Sequence, residues 1–538
     1  MRSAEIALTG LAIGLTIAAF SESQTAIDRG AFVVAQRGDT VAIERFARTP
    51  DSIAVDLTLK MQGRFVYLAR TAKDFTISQM NIQFYLPNAA PDQPPAQTAV
   101  LTLRGDSVIA EISSRGQNQT QRLKTEAGAL MLPPSSFTAF EQLTMKLRAS
   151  QRSANAPPLS ASQPFTAPVF ATSGGSTGKA SLTPVGADSV IVNVGSQEYR
   201  LKVDQFGHIL GAASPANGLI ITRVDQATAA KLALGKPDYS APADAPYTAE
   251  EISIAAAPGV TLGGTLTMPK NRSSQLPAVV TITGSGQQDR DEYIAVAGGY
   301  RPFRQIADTL ARRGIAVLRL DDRGVGSSTG NPATSTSADF ANDIRAAVAY
   351  LRTRKEIDPA RIALIGHSEG GIIAPMVAAT DPKLKAIVLM AGPVDNGLKI
   401  VRYQQRYALD NDTALTTTKR DSLYRVGQGQ LDSLALQNPW MKFFLSYEPD
   451  STAKRVKAPV LILQGATDRQ VPAEQADRLA AAFRAGGNSD VTVRLFPDRD
   501  HLFLADPNGN PRGYTRLASN KIDPEVLGVI MDWLARKL

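Results

Sequence analysis

The pattern of apolar residues changes near residue 250, and this change constrains the fold more than any other feature of the 538-residue chain. From Glu250 onward, short apolar runs alternate with longer segments of helical character, as in Ala278–Thr283 followed by 303–313. Strands that alternate with helices are typical of a mostly parallel sheet with helices on both faces. The sequence therefore predicts an α/β domain over 247–538, which a helical insertion interrupts at about 394–457.

The residues before this point have a different pattern. Between 53 and 59, apolar residues alternate with polar or small ones, which is the period of a half-buried strand. A Gly105-Asp106 turn joins two further apolar runs and predicts a hairpin. We expect a β-rich amino-terminal domain over 27–150, a linker or long loop over 151–180, where Pro, Ser, Ala and Gly concentrate, and further strands of the same accessory domain over 181–240.

The composition excludes several functional classes. A formal net charge of +8 over this length, without a dense Lys/Arg block, gives no basis for nucleic-acid binding. The chain has no cysteine, so thiol nucleophiles, thiolate metal sites and disulfides are excluded.

The first 26 residues have the features of a signal peptide. Arg2 supplies a positive start, Ile6–Phe20 is apolar and uncharged, and Ala19-Phe20-Ser21 has small residues at the spacing of a cleavage site. Fifteen apolar residues are too few to span a bilayer comfortably. We therefore expect a periplasmic or secreted protein with no stable membrane span after cleavage.

A nucleophilic serine is predicted from its context. The pattern G-x-S-x-G occurs three times, around Ser176, Ser328 and Ser368. A nucleophile elbow needs an apolar strand directly before the serine and a helix directly after it. Only Ser368 has both, and Gly366 and Gly370 are expected to allow the tight turn.

The chain has only three histidines from which to choose a general base. His208 lies in the β-rich region, and His367 is expected to point away from its neighbour, the nucleophile. His501 follows a strand and precedes the last helix, in the order serine, acid, histidine that accompanies such an elbow. His501 is therefore the predicted base.

The acid that orients this histidine is expected on a strand end. Asp468 follows the apolar strand 459–464 and would lie on the rim of the sheet where sites form. Asp498 and Asp500 are alternatives because they are close to His501 in sequence. Asp322 is expected to shape the turn after its own strand instead.

Two backbone N–H groups should stabilise an oxyanion. One is expected from Glu369, the residue after the nucleophile. The other is expected from the turn that follows strand Ala278–Thr283, from Ser285 or alternatively Gly286.

The carboxyl-terminal half resembles bacterial α/β-hydrolase esterases of the dienelactone hydrolase and serine aminopeptidase group, here with an added amino-terminal β-rich domain. The segments that carry the resemblance are Gly284–Asp291, Asp321–Ser327, Gly366–Gly370, Asn438–Trp440, Gly465–Asp468 and Asp500–Phe503. The resemblance implies the α/β-hydrolase fold and makes the insertion at 394–457 a cap over the pocket. Its aromatic residues are expected either to bind an acyl or aryl group or to pack the cap onto the body; the pocket candidates are Trp440, Phe443 and Phe444.

We expect a serine hydrolase that acts on a small-molecule carboxylic ester and requires no metal or organic cofactor. An aminopeptidase or acyl-peptide hydrolase with the same residues is the alternative, and Asp410, Asp412 and Glu448 in the cap are available to hold an ammonium group. A third possibility is a non-catalytic binding protein whose β-rich half carries the function.

Overall fold

A computed structural model describes residues 28–538 apart from 37, 61–62, 87–88, 90–92, 115–116, 153–163, 174, 196, 236, 271–273 and 413–414. The predicted signal segment at 1–26 lies outside the described residues. The chain divides into two compact units, one up to residue 236 and the other from 237 to the end. Each unit has its own sheet and its own apolar core.

The described residues of the amino-terminal unit form a 15-stranded sheet in which most sequence neighbours pair antiparallel. Two pairings depart from this pattern. The first strand, β1, also pairs with the last strand, β15, and β9 pairs with β10 in the parallel direction. The strands are β1 (Asp28–Gln36), β2 (Asp39–Arg48), β3 (Ser52–Leu59), β4 (Gly63–Thr71), β5 (Ile77–Tyr85), β6 (Gln97–Arg104), β7 (Ser107–Ser114), β8 (Gln117–Lys124), β9 (Leu130–Leu132), β10 (Phe165–Ala171), β11 (Ser176–Val185), β12 (Ser189–Val194), β13 (Gln197–Val203), β14 (Ile209–Ser214) and β15 (Leu219–Val224). The predicted hairpin at Gly105-Asp106 is confirmed, since β6 and β7 pair across it.

One long helix, α1 (Phe137–Gln151), lies within the segment predicted only as β-rich. Ser136 caps it by accepting a hydrogen bond from the Ala139 N–H at 3.2 Å. The helix buries Phe137, Leu143 and Leu147 in the core of this unit. The helical spacing of these residues and the capping serine were present in the sequence, but the strand pattern on either side obscured them.

The prediction of a linker over 151–180 is wrong from residue 164 onward. Phe165–Ala171 forms β10, and 176–180 opens β11. Val169 and Phe170 are buried, and β10 has a partner on each side. Pairing with two strands outweighs a composition rich in turn-forming residues, because strand formation depends strongly on neighbours. Residues 153–163 lie outside the described residues.

A short helix, α2 (Gln226–Lys231), follows β15.

A buried ionic cluster joins α1 to the sheet. The Glu141 carboxylate is completely buried and accepts hydrogen bonds from Arg48, from Arg223 Nη1 at 2.8 Å and from the Ile209 N–H. Arg223 also donates to both carboxylate oxygens of Asp28. A buried carboxylate is tolerated only while such donors compensate for the lost hydration.

Replacing Arg223 with Leu should therefore destabilise the amino-terminal unit by about 3 kcal/mol, because Glu141 and Asp28 lose a shared cation. The matched control is Arg200→Leu, which removes a solvent-exposed ion pair with Glu198. The control should change the free energy of unfolding by less than about 1 kcal/mol. Denaturant unfolding of the two variants beside the wild type measures the difference, and equal stabilities would contradict the role given to Arg223.

The described residues of the carboxyl-terminal unit form an eight-stranded sheet in the order β16-β17-β19-β18-β20-β21-β22-β23. Its strands are β16 (Tyr247–Ala257), β17 (Val260–Pro269), β18 (Leu276–Ile282), β19 (Ala316–Leu320), β20 (Ile357–His367), β21 (Ala386–Met390), β22 (Val460–Gly465) and β23 (Val491–Phe496). β17 runs antiparallel to its neighbours, and β18 to β23 are mutually parallel. The predicted α/β fold is confirmed.

Helices cover both faces of this sheet. The helices are α3 (Pro302–Ala311), α4 (Ser337–Thr353), α5 (Gly370–Ala378), α10 (Glu474–Ala485) and α11 (Pro524–Lys537). Neighbouring residues of one strand enter different cores: Val280 packs in the cluster that contains residues of α4, α5 and α10, whereas Val279 packs with residues of α3 and α11. A strand buried on both faces needs apolar residues at consecutive positions, and this is why its sequence does not alternate.

The predicted helical insertion is present between β21 and β22. Its helices are α6 (Gly397–Asp410), α7 (Thr417–Gln437), α8 (Pro439–Ser446) and α9 (Pro449–Ala453). Among the residues that the structure describes, no helix has both the length and the apolar character needed to cross a lipid bilayer.

Two loops at the carboxyl edge of the sheet are joined by a buried arginine. Arg290, in the loop after β18, donates to Asp321 after β19 through Nε at 3.1 Å and Nη2 at 2.7 Å. The Tyr239 ring lies over the same guanidinium at 4.1 Å. This bidentate contact fixes the loop that contains the Gly284-Ser285-Gly286 turn.

Candidate active site

Ser368 lies on a sharp turn between β20 and α5. Its φ of +51° is in the left-handed region, where a residue with a side chain is strained. A Cβ on Gly366 would lie 2.0 Å from the Gly370 carbonyl oxygen, and one on Gly370 would lie 2.2 Å from the Ile282 carbonyl oxygen. Both glycines are therefore required for the backbones to approach this closely. The other two serines of this pattern differ: Ser176 is exposed on β11, and buried Ser328 donates to the Asp321 carbonyl.

His501 and Asp468 are brought together from two loops. His501 Nδ1 lies 2.8 Å from Asp468 Oδ2, and both side chains are buried. Asp468 also accepts hydrogen bonds from the backbone N–H groups of Gln470 at 2.7 Å and Val471 at 2.9 Å, and from the Gln464 amide at 2.9 Å. With the His501 ring, these groups surround the Asp468 carboxylate with four hydrogen-bond contacts. A carboxylate oxygen beside Nδ1 favours the His501 tautomer that carries its proton on Nδ1 and a lone pair on Nε2.

The alternative acids do not contact the His501 ring in the described structure. Asp498 is exposed, with a φ of +51°. Asp500 is turned into its own loop, where Oδ1 accepts the N–H groups of Leu502 and Leu504 at 2.9 Å each. Burial raises the pKa of Asp500 to about 7. Asp500 thus shapes the loop that presents His501.

The turn after β18 lies against the nucleophile. A Cβ on Gly284 would come within 3.3 Å of Ser368 Cβ, and Gly286 has a φ of +106°. Among the described residues, no acceptor takes the backbone N–H groups of Ser285, Gly286 or Glu369. These three N–H groups are available to an oxyanion beside Ser368.

The Glu369 side chain contacts the cap. Its Oε1 accepts a hydrogen bond from Trp440 Nε1 at 2.8 Å and another from the Ser337 hydroxyl. Burial raises the pKa of Glu369 above its ordinary value, against these hydrogen bonds, which lower it. The cap is thus joined to the residue that follows the nucleophile.

The other predicted pocket aromatics pack the cap onto the body. Phe444 is buried and stacks on Trp440 with ring centroids 5.0 Å apart, while Phe443 stacks on Tyr447 at 5.2 Å. Neither is among the residues that line the cleft beside Gly284 and Gly286, and neither Ser368 nor His501 lines it. The expectation that Trp440, Phe443 and Phe444 line the substrate pocket therefore stays a prediction. The apolar lining of this cleft is Leu262, Ile282, Leu320, Phe340, Ile344 and Ile373.

Asp322 lies on the polar side of this cleft. It accepts hydrogen bonds from the Thr283 hydroxyl at 2.8 Å and the Gln288 N–H at 2.9 Å. Burial raises its pKa well above the ordinary value for aspartate. Asp322 therefore braces the turn after β18 as well as its own loop.

No group of three metal-ligating side chains lies together among the described residues.

A second histidine–carboxylate pair, which no sequence pattern predicted, lies next to His501. His367 is buried, with Nδ1 2.8 Å from Glu292 Oε1 and Nε2 3.0 Å from the His501 carbonyl oxygen. Its ring centroid is 4.9 Å from that of His501. A histidine at the end of a buried strand was a signal for a polar partner, but the sequence does not show that Glu292 is that partner.

Comparison with known proteins agrees with this fold. Residues 279–511 match the model of the Alpha/beta hydrolase family. The chain is 27% identical over 306 residues to Esterase EstD of Thermotoga maritima, covering 56% of this chain and 70% of EstD. It is 24% identical over 279 residues to the uncharacterized peptidase YuxL of Bacillus subtilis, covering 49% of this chain and 36% of YuxL.

Among solved structures, the Pyrococcus furiosus esterase Pf2001 matches with a TM-score of 0.40 and 18% sequence identity, covering 56% of this chain and 96% of Pf2001. The match to the family model, the strand order of the eight-stranded sheet and the turn at Ser368 all indicate the same fold. The carboxyl-terminal unit is a domain of the alpha/beta hydrolase family.

The approach of the Asp468 and His501 loops depends on Gly465. A Cβ at this position would lie 2.2 Å from the Arg499 carbonyl oxygen and 2.5 Å from that of Asp500. Gly465→Ala should therefore displace His501 and slow labelling of Ser368 by a fluorophosphonate by about 100-fold. Gly528→Ala in α11 is the control, since its Cβ would meet nothing within 4 Å. Undiminished labelling of Gly465→Ala would contradict this geometry.

Proposed function

We propose that the protein is a serine hydrolase that cleaves carboxylic esters through an acyl-enzyme. The observation that carries the proposal is the His501–Asp468 hydrogen bond together with a serine on a left-handed elbow, whose neighbour His367 contacts the His501 carbonyl. The similarity to proteins named esterases supports the ester class. The small-molecule ester would bind beside the turn after β18.

In the proposed reaction, Ser368 Oγ attacks the acyl carbon while its proton moves to His501 Nε2. Asp468 keeps the other ring nitrogen protonated and offsets the charge of the imidazolium. The tetrahedral oxyanion accepts hydrogen bonds from the Glu369 N–H and from Ser285 or Gly286. When the ester C–O bond breaks, His501 gives its proton to the leaving alcohol. Water then attacks the acyl-enzyme, with His501 as base, and releases the acid and free Ser368.

The cap carboxylates give little support to aminopeptidase activity. Asp410 is paired with Arg406, and Glu448 accepts a hydrogen bond from Asn396 at 2.7 Å. Asp412 lies 3.6 Å from Arg512. Each of these carboxylates therefore already has a partner within the protein, and Asp410 and Asp412 already face the positive charge of an arginine. We therefore favour esters over peptides with a free amino terminus.

Hydrolysis of p-nitrophenyl esters of graded acyl length should be rapid for the wild type. It should fall by about 10⁴-fold or more in Ser368→Ala, because the acyl-enzyme cannot form. Amino-acyl p-nitroanilides tested in parallel distinguish the peptidase alternative.

The control is Ser176→Ala, which alters an exposed serine in the same G-x-S-x-G pattern in the other unit. It should match the wild type. Turnover of the anilides alone would transfer the proposal to a peptidase. Absence of turnover with either substrate, together with no labelling of Ser368 by a fluorophosphonate, would contradict a hydrolase.

We also propose that the protein is exported, because its first 26 residues have the features of a signal peptide. Expression in a Gram-negative host should give a mature amino terminus between residues 20 and 27 in the periplasm or medium. Amino-terminal sequencing of the fractionated protein measures this. An intact amino terminus in the cytoplasmic fraction would contradict export.

A further inference from the structure

Both ring nitrogens of His367 face hydrogen-bond acceptors. Nε2 lies 3.0 Å from the backbone carbonyl of His501, which can only accept. Nδ1 lies 2.8 Å from Glu292 Oε1. A neutral imidazole has one N–H and one lone pair, so it can satisfy only one of these contacts as a donor. The geometry therefore requires one further proton between His367 and Glu292.

The Glu292 carboxylate also contacts the turn after β18. Its Oε1 also accepts the backbone N–H of Gly284 at 2.8 Å. A Cβ on Gly284 would lie 3.0 Å from the same oxygen, so a side chain at this position would crowd the contact. Glu292 is buried and has a φ of +55°, a strained conformation for a residue with a long side chain. Strain of this kind persists only where the surrounding contacts impose it.

These contacts join three loops of the site. Gly284 lies at the start of the turn whose N–H groups face Ser368. His367 directly precedes Ser368 on the elbow, and the His501 carbonyl belongs to the loop that presents the base. A chain of hydrogen bonds therefore runs from the oxyanion turn through Glu292 and His367 to the backbone of His501.

We propose that Glu292 and His367 form a buried carboxylate–imidazolium pair that positions the oxyanion turn and the His501 loop relative to Ser368. Both are positioning residues: they act through the backbone of Gly284 and His501 and do not contact the substrate. The proposal rests on the proposed function, because positioning matters only if Ser368 is a nucleophile. It adds a second histidine–carboxylate pair beside His501–Asp468.

The electrostatic surroundings favour the charged form of His367. Burial lowers the pKa of His367, but the Glu292 carboxylate and the hydrogen bonds to Glu292 and His501 outweigh burial, so the pKa lies above its ordinary value. Asp468 adds to this increase. Besides Glu292, the titratable residues that act on His367 are Asp468, whose charge raises the pKa of His367, and His501, whose backbone carbonyl accepts a hydrogen bond. The charge of Glu292 in turn raises the pKa of Asp322. Tyr300 lies near Glu292 and Asp500.

The sign of the pH dependence follows from this increase. A histidine with a raised pKa is charged in the folded protein below that pKa. Its stabilising contribution is complete below the ordinary value near 6.5 and is lost as the pH rises through the higher folded value. The pair should therefore weaken as the pH rises through the folded pKa, which lies above the ordinary value.

Nitrogen-15 NMR of histidine-labelled protein tests the charge directly, because the chain has only three histidines. The His208→Asn and His501→Gln variants assign the signals by elimination. At pH 7, His367 should show both ring nitrogens protonated, and this pattern should persist to a higher pH than about 6.5. In Glu292→Gln, the same ring should become neutral at pH 7. A neutral His367 in the wild type at pH 7 would overturn the proposal.

Steady-state kinetics of two Glu292 variants distinguish the positioning role of Glu292 from the effect of its charge on His367. Glu292→Gln can keep the contact with Gly284, because an amide oxygen at the position of Oε1 still accepts the Gly284 N–H and can also accept from a neutral His367 protonated on Nδ1; Nε2 then has no proton for the His501 carbonyl. Glu292→Ala removes the contacts with both Gly284 and His367. With p-nitrophenyl esters we expect Glu292→Ala to lower kcat about 10- to 100-fold with little change in KM, and Glu292→Gln to recover only part of that loss.

The matched control is Asp204→Asn, which disrupts a third 2.8 Å histidine–carboxylate contact, between Asp204 and His208 in the amino-terminal unit. Its kcat should equal that of the wild type. If Glu292→Ala folds, as judged by an unchanged thermal transition, and keeps wild-type kcat, the positioning role is wrong. If the wild type hydrolyses no ester, the proposed function fails while the NMR result still decides the charge of the pair.

Discussion

The close approach of three backbones around Ser368 is the constraint on which the rest of the site depends. The strand β20, the helix α5 and the end of β18 meet so tightly that a Cβ on Gly366 or Gly370 would overlap neighbouring carbonyl groups. This packing holds Ser368 at a φ of +51°. The turn after β18 also lies against Ser368, so the elbow and this turn form one structure. Small residues on all sides are the condition for this contact.

Around this turn, the loops are held by buried polar contacts. Asp468 accepts four hydrogen bonds, and Arg290 binds Asp321 in a bidentate contact. His367 and Glu292 continue this network to the backbone of His501. Such groups are costly to bury unless they are paired, and once paired they favour a single arrangement of the loops. The site therefore combines a backbone fixed by packing with loops fixed by polar pairing.

The sequence was informative where a pattern has one structural solution. Strand–helix alternation predicted the α/β sheet, and the apolar strand before Ser368 with the helix after it distinguished this serine from Ser176 and Ser328. Patterns with more than one solution were misread or left two outcomes open. Phe165–Ala171, within the segment predicted as a linker, forms β10 because two strands pair with it. Trp440 and Phe444 stack within the cap, because aromatic residues suit a packed interface as well as a pocket.

By itself, the sequence determined the class of fold, the serine on the elbow, and the order in which Asp468 and His501 follow it. These depend on local periodicity and on spacing along the chain, which a single sequence contains. Only the tertiary structure decided that Asp468 rather than Asp500 meets His501, and that Glu292 meets His367, 75 residues away. The sequence does not show which hydrogen-bond donor a given carboxylate will contact in the folded protein. That choice is made when distant loops fold together and each buried charge must find a partner.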